Sequence, residues 1–296
     1  MPYVALVLTA PQLTAEHIAA VQAVSPRMSG LKPLVLAPKA ACQWKFELTS
    51  EEVSEILRAA RAALADAAVD VNMVGDDTDR RKRLLIADMD STIIEQECID
   101  EVADFAGCGE QVAAITERAM RGELDFEAAL TVRVGLLKGL DTAALDRVAT
   151  ERLTITPGAT TLVATMAANG AFCALVSGGF TFFTSRIADR VGFHENRANS
   201  LEVNEGKLTG RAIPPILGRQ AKLDALNELT EREGIPIDGT LAVGDGANDL
   251  AMIKAAGLGV AFHAKPIVAA EADAAINHSD LTALLYLQGY HQSDFV

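Results

Sequence analysis

Apolar positions fall into two regimes along the chain. From Tyr3 to about Gly75 the segments alternate in type. Tyr3 to Leu8 is a β-branched, apolar run that predicts a strand, Thr14 can cap a helix over Ala15 to Val24, and Lys32 to Ala37 and Lys45 to Leu48 read as extended. Ser50-Glu51-Glu52-Val53 opens an alanine-rich helix to about Ala68, and Val69 to Val74 returns to strand. The order is that of a βαββαβ, ferredoxin-like α+β sandwich. From Leu84 onward the strands become wholly apolar runs: Leu84 to Ala87, Phe172 to Val176, Leu241 to Val243 and Leu258 to Ala261, each ending at a polar or glycine-rich turn. Such runs predict an α/β, Rossmann-like parallel sheet covered on both faces. Between the first two, about Glu97 to Thr156 reads helix after helix, an all-helical insertion that makes a natural lid. The charged stretch Asp76-Asp77-Thr78-Asp79 marks the expected boundary between residues 1–78 and 79–296.

Composition narrows the partners more than the fold. With 50% hydrophobic and 22% charged residues in 296, the chain can bury a large core in more than one unit. Its formal net charge of −14 repels polyanions, so nucleic acid is not an expected partner. The basic run Arg80-Arg81-Lys82-Arg83 is short and reads as a solvated linker before the first apolar strand. No apolar stretch of about 18 residues escapes a charge or a breaker, and Met1-Pro2-Tyr3 lacks the basic start of a signal peptide, so a cytoplasmic protein without a membrane partner is expected. Cys42, Cys98, Cys108 and Cys173 show neither disulfide nor zinc spacing and read as reduced, buried thiols.

Ligands of open parallel sheets bind beyond the carboxyl ends of the strands, so the polar residues after each apolar run form one set. They are Asp88 and Asp90, then Ser177-Gly178-Gly179, then Asp245, Asn248 and Asp249, with Lys222 in Gln220-Ala221-Lys222-Leu223 adding a positive charge. Taken singly, each has an ordinary explanation as a solvated turn or a surface lysine. Together and in this order they suit a magnesium ion and a phosphate. Hydrolysis of a phosphate monoester needs its barrier lowered by on the order of 20 kcal/mol or more, which demands covalent catalysis, charge neutralisation and proton delivery at once. The expected division of labour is Asp88 as nucleophile and Mg²⁺ held by Asp88, the Asp90 main-chain carbonyl and Asp245, with Asp249 behind. Ser177, the Gly178 amide and Lys222 complete the cradle, and Asp90 serves as acid, then base. An ordinary Asp carries its proton only about one part in a thousand of the time at pH 7, so the site must raise the pKa of Asp90.

Asp88-Met89-Asp90-Ser91-Thr92, Ser177-Gly178-Gly179-Phe180, Lys222 and Gly244-Asp245-Gly246-Ala247-Asn248-Asp249 resemble the ordered motifs of the haloacid-dehalogenase (HAD) superfamily. Glu95-Gln96-Glu97-Cys98-Ile99-Asp100-Glu101 and the stretch Thr116 to Phe126 further resemble the small helical cap of its bacterial phosphoserine phosphatases. The likeness runs from about Leu84 to the C-terminus. It implies a Mg²⁺-dependent hydrolase of O-phospho-L-serine, acting in the last step of serine biosynthesis. It also implies that Glu97 holds the substrate ammonium and Arg133 its carboxylate, while Met120 and Phe126 wall the pocket. Asn248 falls with the substrate-binding set. The first 78 residues match weakly and look like an amino-acid-binding ACT-like module, which suggests L-serine as an effector, or a homodimer. Alternatives are a phosphatase of another small phosphomonoester and an amino-acid sensor with a vestigial catalytic domain.

Overall fold

Two sheets organise the chain, which a computed structural model describes over residues 3–76, 80–120 and 125–296. The first comprises β1 (Tyr3–Thr9), α1 (Ala15–Gln22), β2 (Leu34–Ala37), β3 (Ala41–Glu47), α2 (Ser50–Ala63) and β4 (Asp70–Gly75), with strand order β2-β3-β1-β4 and antiparallel pairing. The expected βαββαβ order is therefore present. Thr14 and Thr49 close capping boxes with His17 and Glu52, which fixes where both helices start. β3 begins at Ala41, before the expected Lys45, because Ala41 to Gln43 are buried and show no alternation. The boundary residues 77–79, and with them the expected division at 78, lie outside the described residues.

The second sheet has the order β11-β10-β9-β5-β6-β7-β8 and is parallel except for the β7–β8 pair. Its strand β5 (Leu84–Ala87) is followed by the tight turn Met89–Ile93 and by α3 (Cys98–Ala106), α4 (Gly109–Met120), α5 (Phe126–Leu136) and α6 (Thr142–Glu151), the expected helical insertion. Then come α7 (Ala159–Ala168), β6 (Phe172–Phe180), α8 (Thr181–Val191), β7 (Glu195–Asn204), β8 (Lys207–Ile213) and α9 (Arg219–Glu233). The chain closes with β9 (Thr240–Gly244), α10 (Leu250–Ala255), β10 (Leu258–Phe262), α11 (Pro266–Ala269), β11 (Ala274–Ile276) and α12 (Ala283–Leu287). Alternation is hidden in β5 because both faces are covered: Leu84 and Ile86 pack with Ala225, Leu226 and Leu229 of α9, whereas Leu85 and Ala87 join the core under α7 and α8. No helix among the described residues is long and apolar enough to cross a membrane.

The two sheets are not strung on a solvated linker. Val4, Leu6 and Leu8 of β1 face α1 and α2, while Ala5 and Val7 join the core that contains Leu284 and Leu285 of α12. Half of the basic run departs from its sequence reading: Arg80 is 7% exposed and Lys82 9%, whereas Arg81 and Arg83 are exposed. Arg80 donates to the Leu287 carbonyl at 2.9 Å, to Asp76 at 2.6 Å and to Gln43 at 2.6 Å, and Lys82 Nζ donates to the Asp238 carbonyl at 2.6 Å. Buried cations need such partners, and these come from Gln43 of the first sheet, from α12 and from the segment before β9, so Arg80 and Lys82 form a clasp.

Candidate active site

The chain leaves β5 toward β6 on one side and returns at β9 on the other, which opens a crevice at the carboxyl end of β5. Asp88 leads directly off β5, and Asp90 follows inside a turn in which Ser91 adopts a left-handed φ of 53°. Met89 between them is fully buried, as expected of a residue facing the core. Ser177 lies within β6, not in a turn after it, because β6 bulges. Val176 pairs with Arg197 and Phe180 with Asn199, so four residues of β6 advance against two of β7. Buried Asn199 holds the bulge, donating to the carbonyls of Gly178 at 2.8 Å and Leu217 at 3.2 Å and accepting from Leu217 N at 2.7 Å. The sequence reading missed Asn199, since one Asn in a polar strand carries no distinguishing local signal.

Lys222, 2% exposed, is clamped between two carboxylates, 2.7 Å from Asp88 Oδ1 and 2.6 Å from Asp249 Oδ1. Asp88 Oδ1 also accepts the Met89 N–H at 2.7 Å, and Asp249 Oδ2 accepts the Gly246 N–H at 3.0 Å. Gly244 allows this: a Cβ there would collide with the Asp249 carboxyl. The carboxylates of Asp88, Asp245 and Asp249 each offer an oxygen within 4.8 Å of the others. Half-buried Asn248 sits in the same turn, against Gly246. The Asp90 carboxylate turns away from this cluster, accepting from Cys98 N at 2.8 Å and from Ser177 Oγ at 3.1 Å. Ser177 Oγ in turn accepts the Gly179 N–H at 2.8 Å. A Cβ on Gly179 would lie 2.8 Å from Asp90 Oδ2 and 3.1 Å from Ser177 Oγ. Gly179→Ala is therefore expected to displace the Asp90 carboxyl and lower kcat by roughly 10²-fold with an unaltered melting temperature, measurable by steady-state kinetics beside a thermal melt.

Five carboxylates, Asp88, Asp90, Glu97, Asp245 and Asp249, crowd the crevice against Lys222 and Arg133. Burial, and then the neighbouring Asp88 charge, push Asp245 up to about 6 and Asp249 to about 7. The same two causes raise Asp90, against the Cys98 and Ser177 hydrogen bonds. Burial alone would lower Lys222, but Asp249 and Asp88 outweigh it and hold the ammonium protonated. A site so rich in mutually repelling oxygen donors fits a divalent cation.

Toward the helical insertion, Glu97 stands at the N-cap of α3 without capping it, and its Oε1 accepts from Ser91 Oγ at 2.7 Å. Glu97 is itself exposed at the mouth of the crevice, and the surrounding walls, then repulsion from Asp90, raise its carboxyl pKa above the usual range. Arg133, half-buried on α5, makes only long bonds among the described residues, 3.4 Å each, to the Ala129 carbonyl and Thr116 Oγ1. Burial lowers its pKa while Asp100, Glu97 and Asp90 support the charge. The structure thus brings Arg133 within the field of Glu97 and Asp90 and leaves its guanidinium loosely held. The side chains of Met120 and Phe126 lie outside the described residues. Ser91, overlooked as a partner of Glu97, was legible in part, because it sits one position past the second carboxylate of the D-x-D.

The family model of the haloacid dehalogenase-like hydrolases matches residues 85–254. The phosphoserine phosphatase of Streptomyces coelicolor is 41% identical over 280 residues, covering 94% of this chain and 68% of that protein. The crystal structure of a probable phosphoserine phosphatase from Vibrio cholerae, in unliganded form, aligns with TM-score 0.81 at 36% identity, over 98% of this chain and 88% of that one. A phospho-aspartyl intermediate analogue of phosphoserine phosphatase aligns with TM-score 0.65 at 42% identity, over 69% of this chain and 98% of that one. The family match spans more than half of the chain and coincides with the elements that build the crevice. The chain belongs to the haloacid dehalogenase-like hydrolase family.

Proposed function

We propose that this chain hydrolyses O-phospho-L-serine to L-serine and phosphate through an aspartyl phosphate on Asp88. The observation that carries the reading is the buried Asp88–Lys222–Asp249 bridge set beside Asp90 and opposite Glu97 and Arg133. The relatives named above support the substrate, and the phospho-aspartyl analogue among them supports the intermediate.

Asp88 attacks phosphorus as the bond from phosphorus to the serine oxygen breaks, and Asp90 delivers its proton to that oxygen. Ser177, the Gly178 amide and Lys222 bind the phosphoryl oxygens, with Asn248 in the adjoining turn. Asp90, now ionised, takes a proton from the water that attacks the aspartyl phosphate, and Asp88 leaves as carboxylate. Asp88, Asp245 and the Asp90 main-chain carbonyl would hold a divalent cation, with Asp249 fixing Lys222 behind them. That cation, which we take to be Mg²⁺ from the all-oxygen donor set, neutralises charge on the phosphoryl group when bound.

Glu97 meets the substrate ammonium and Arg133 its carboxylate, a planar fork matched to a planar acceptor. Arg133→Ala is expected to raise KM for phosphoserine roughly 30-fold, the loss of about 2 kcal/mol from a charge-assisted contact, with a smaller change in kcat. O-phosphoethanolamine, which lacks the carboxylate, should be a poor substrate of the wild type, and its disadvantage should shrink in the variant. Equal losses on both esters would remove Arg133 from the pocket. An L-serine effector site on the first sheet and a homodimer are separate proposals. Calorimetric titration of the full chain with L-serine tests the first, and light scattering tests the second.

A further inference from the structure

Asp70 of β4 lies 3% exposed at the contact between the two sheets, yet its partners are all backbone. Its Oδ1 accepts from Asn277 N at 2.7 Å and His278 N at 3.2 Å, and its Oδ2 from Ser279 N at 2.9 Å. One carboxylate from the first sheet thus gathers three successive amides of the loop after β11. Thr9 reinforces it, accepting from Ser279 Oγ at 3.0 Å.

That loop runs straight into the root of the helical insertion. Leu281 N donates to the Pro157 carbonyl at 3.1 Å, and Gly158, at a left-handed φ of 83°, sits so close that a Cβ would lie 2.6 Å from Thr282 N and 3.0 Å from Leu281 N. Asp280 Oδ1 shapes this seat by accepting from Thr282 N at 2.9 Å. Immediately before it, the two connections to the insertion pair as a short antiparallel ribbon. Ile94 bridges Ile155, Glu95 N donates to the Thr154 carbonyl at 3.1 Å, and Thr156 N donates to the Ile93 carbonyl at 3.0 Å. A cavity of about 390 Å³, lined by Ser91, Glu95, Thr156, His263, His278 and Asp280 among others, lies between ribbon and loop.

We infer that Asp70 is a positioning residue for phosphoserine recognition: it pins the 277–279 loop, and through it the 280–282 seat, so that the Pro157–Gly158 root holds the helices carrying Glu97 and Arg133 over the crevice. The first sheet is then part of the substrate-binding apparatus, not an appendage to it. The inference rests on the function proposed above.

Full-chain Asp70→Ala, Asp70→Asn and Asn72→Ala, each with the wild type, separate positioning from simple loss of stability. Asn72 makes the neighbouring cross-sheet contact, donating to the Ala275 carbonyl at 2.9 Å and accepting from Ala275 N at 3.0 Å, but does not touch the seat. KM for L-phosphoserine is expected to rise between about fivefold and thirtyfold in Asp70→Ala, and less in Asp70→Asn, which keeps one acceptor oxygen. Turnover of an aryl phosphate, with nothing for Glu97 or Arg133 to grip, should stay within about twofold of wild type in both. Asn72→Ala should lower the melting temperature without moving KM. Unchanged KM in both Asp70 variants, or the same shift in Asn72→Ala, overturns the inference. If Asp70→Ala does not fold, Asp70→Asn alone decides. Failure of the wild type to turn over phosphoserine would instead strike the proposed function.

Discussion

Asp88→Asn is expected to reduce phosphoserine turnover by about 10⁴-fold or more and to leave no acid-stable, alkali-labile phosphoenzyme after quenching. The amide is isosteric, so the bonds from Met89 N and Lys222 to that position can largely survive and the fold should hold. What disappears is the anionic nucleophile. Lys222 would keep Asp249 as its partner, so its charge is not left uncompensated and the loss can be read as chemistry, not collapse. Rapid quench with labelled phosphoserine, followed by peptide mapping, checks both the rate and the absence of label. Turnover near the wild-type rate would remove Asp88 from the reaction.

Asp90→Asn should cost roughly 10² to 10⁴ in kcat/KM for phosphoserine, whose alkoxide cannot depart without a proton. Burial first, and the adjacent Asp88 charge second, raise the pKa of Asp90 in the free enzyme, which enlarges its protonated fraction over that of an ordinary Asp. The sign of the pH dependence follows. As pH rises through that raised value the protonated fraction falls, so kcat/KM of the wild type should decline on the alkaline side, and Asp90→Asn should flatten that limb. An aryl phosphate, whose phenolate leaves unaided, should phosphorylate the variant almost normally. Asn cannot then take a proton from water, so phosphoenzyme should accumulate. Equal losses on both esters, with no accumulation, would take the acid and base roles from Asp90.

The buried strands were legible because β5, covered on both faces, is apolar at every position, and its expected limits Leu84–Ala87 are those observed. Asp88, Ser177 and Asp245 were legible for a related reason: a polar side chain directly after, or at the end of, such a run has nowhere to go but the sheet edge. The β7–β8 hairpin escaped notice because its strands are polar and half-exposed. Its signal was present in Glu205-Gly206, whose φ values of 51° and 76° suit a tight hairpin turn. Arg80, Lys82 and Asp70 were illegible in principle. Apart from the Asp76 partner of Arg80, four residues away, the partners lie far off in sequence, at Gln43, Asp238, 277–279 and Leu287, so burial of those charges is set by how the two sheets meet more than by any local pattern. The raised pKa expected of Asp90 could be argued from the reaction it must serve, but its structural cause emerged only from its burial beside Asp88.

Release of inorganic phosphate from L-phosphoserine, measured with Mg²⁺ and with EDTA beside phosphothreonine, O-phosphoethanolamine and a panel of phosphosugars, tests the central claim most directly. The expected result is turnover that requires the metal and favours phosphoserine over every other ester by at least about 10²-fold in kcat/KM, as a site that grips both ends of a zwitterion should. Preference for a phosphosugar would keep the Asp88 chemistry and contradict the Glu97–Arg133 clamp, and no release from any ester with Mg²⁺ present would contradict the account as a whole.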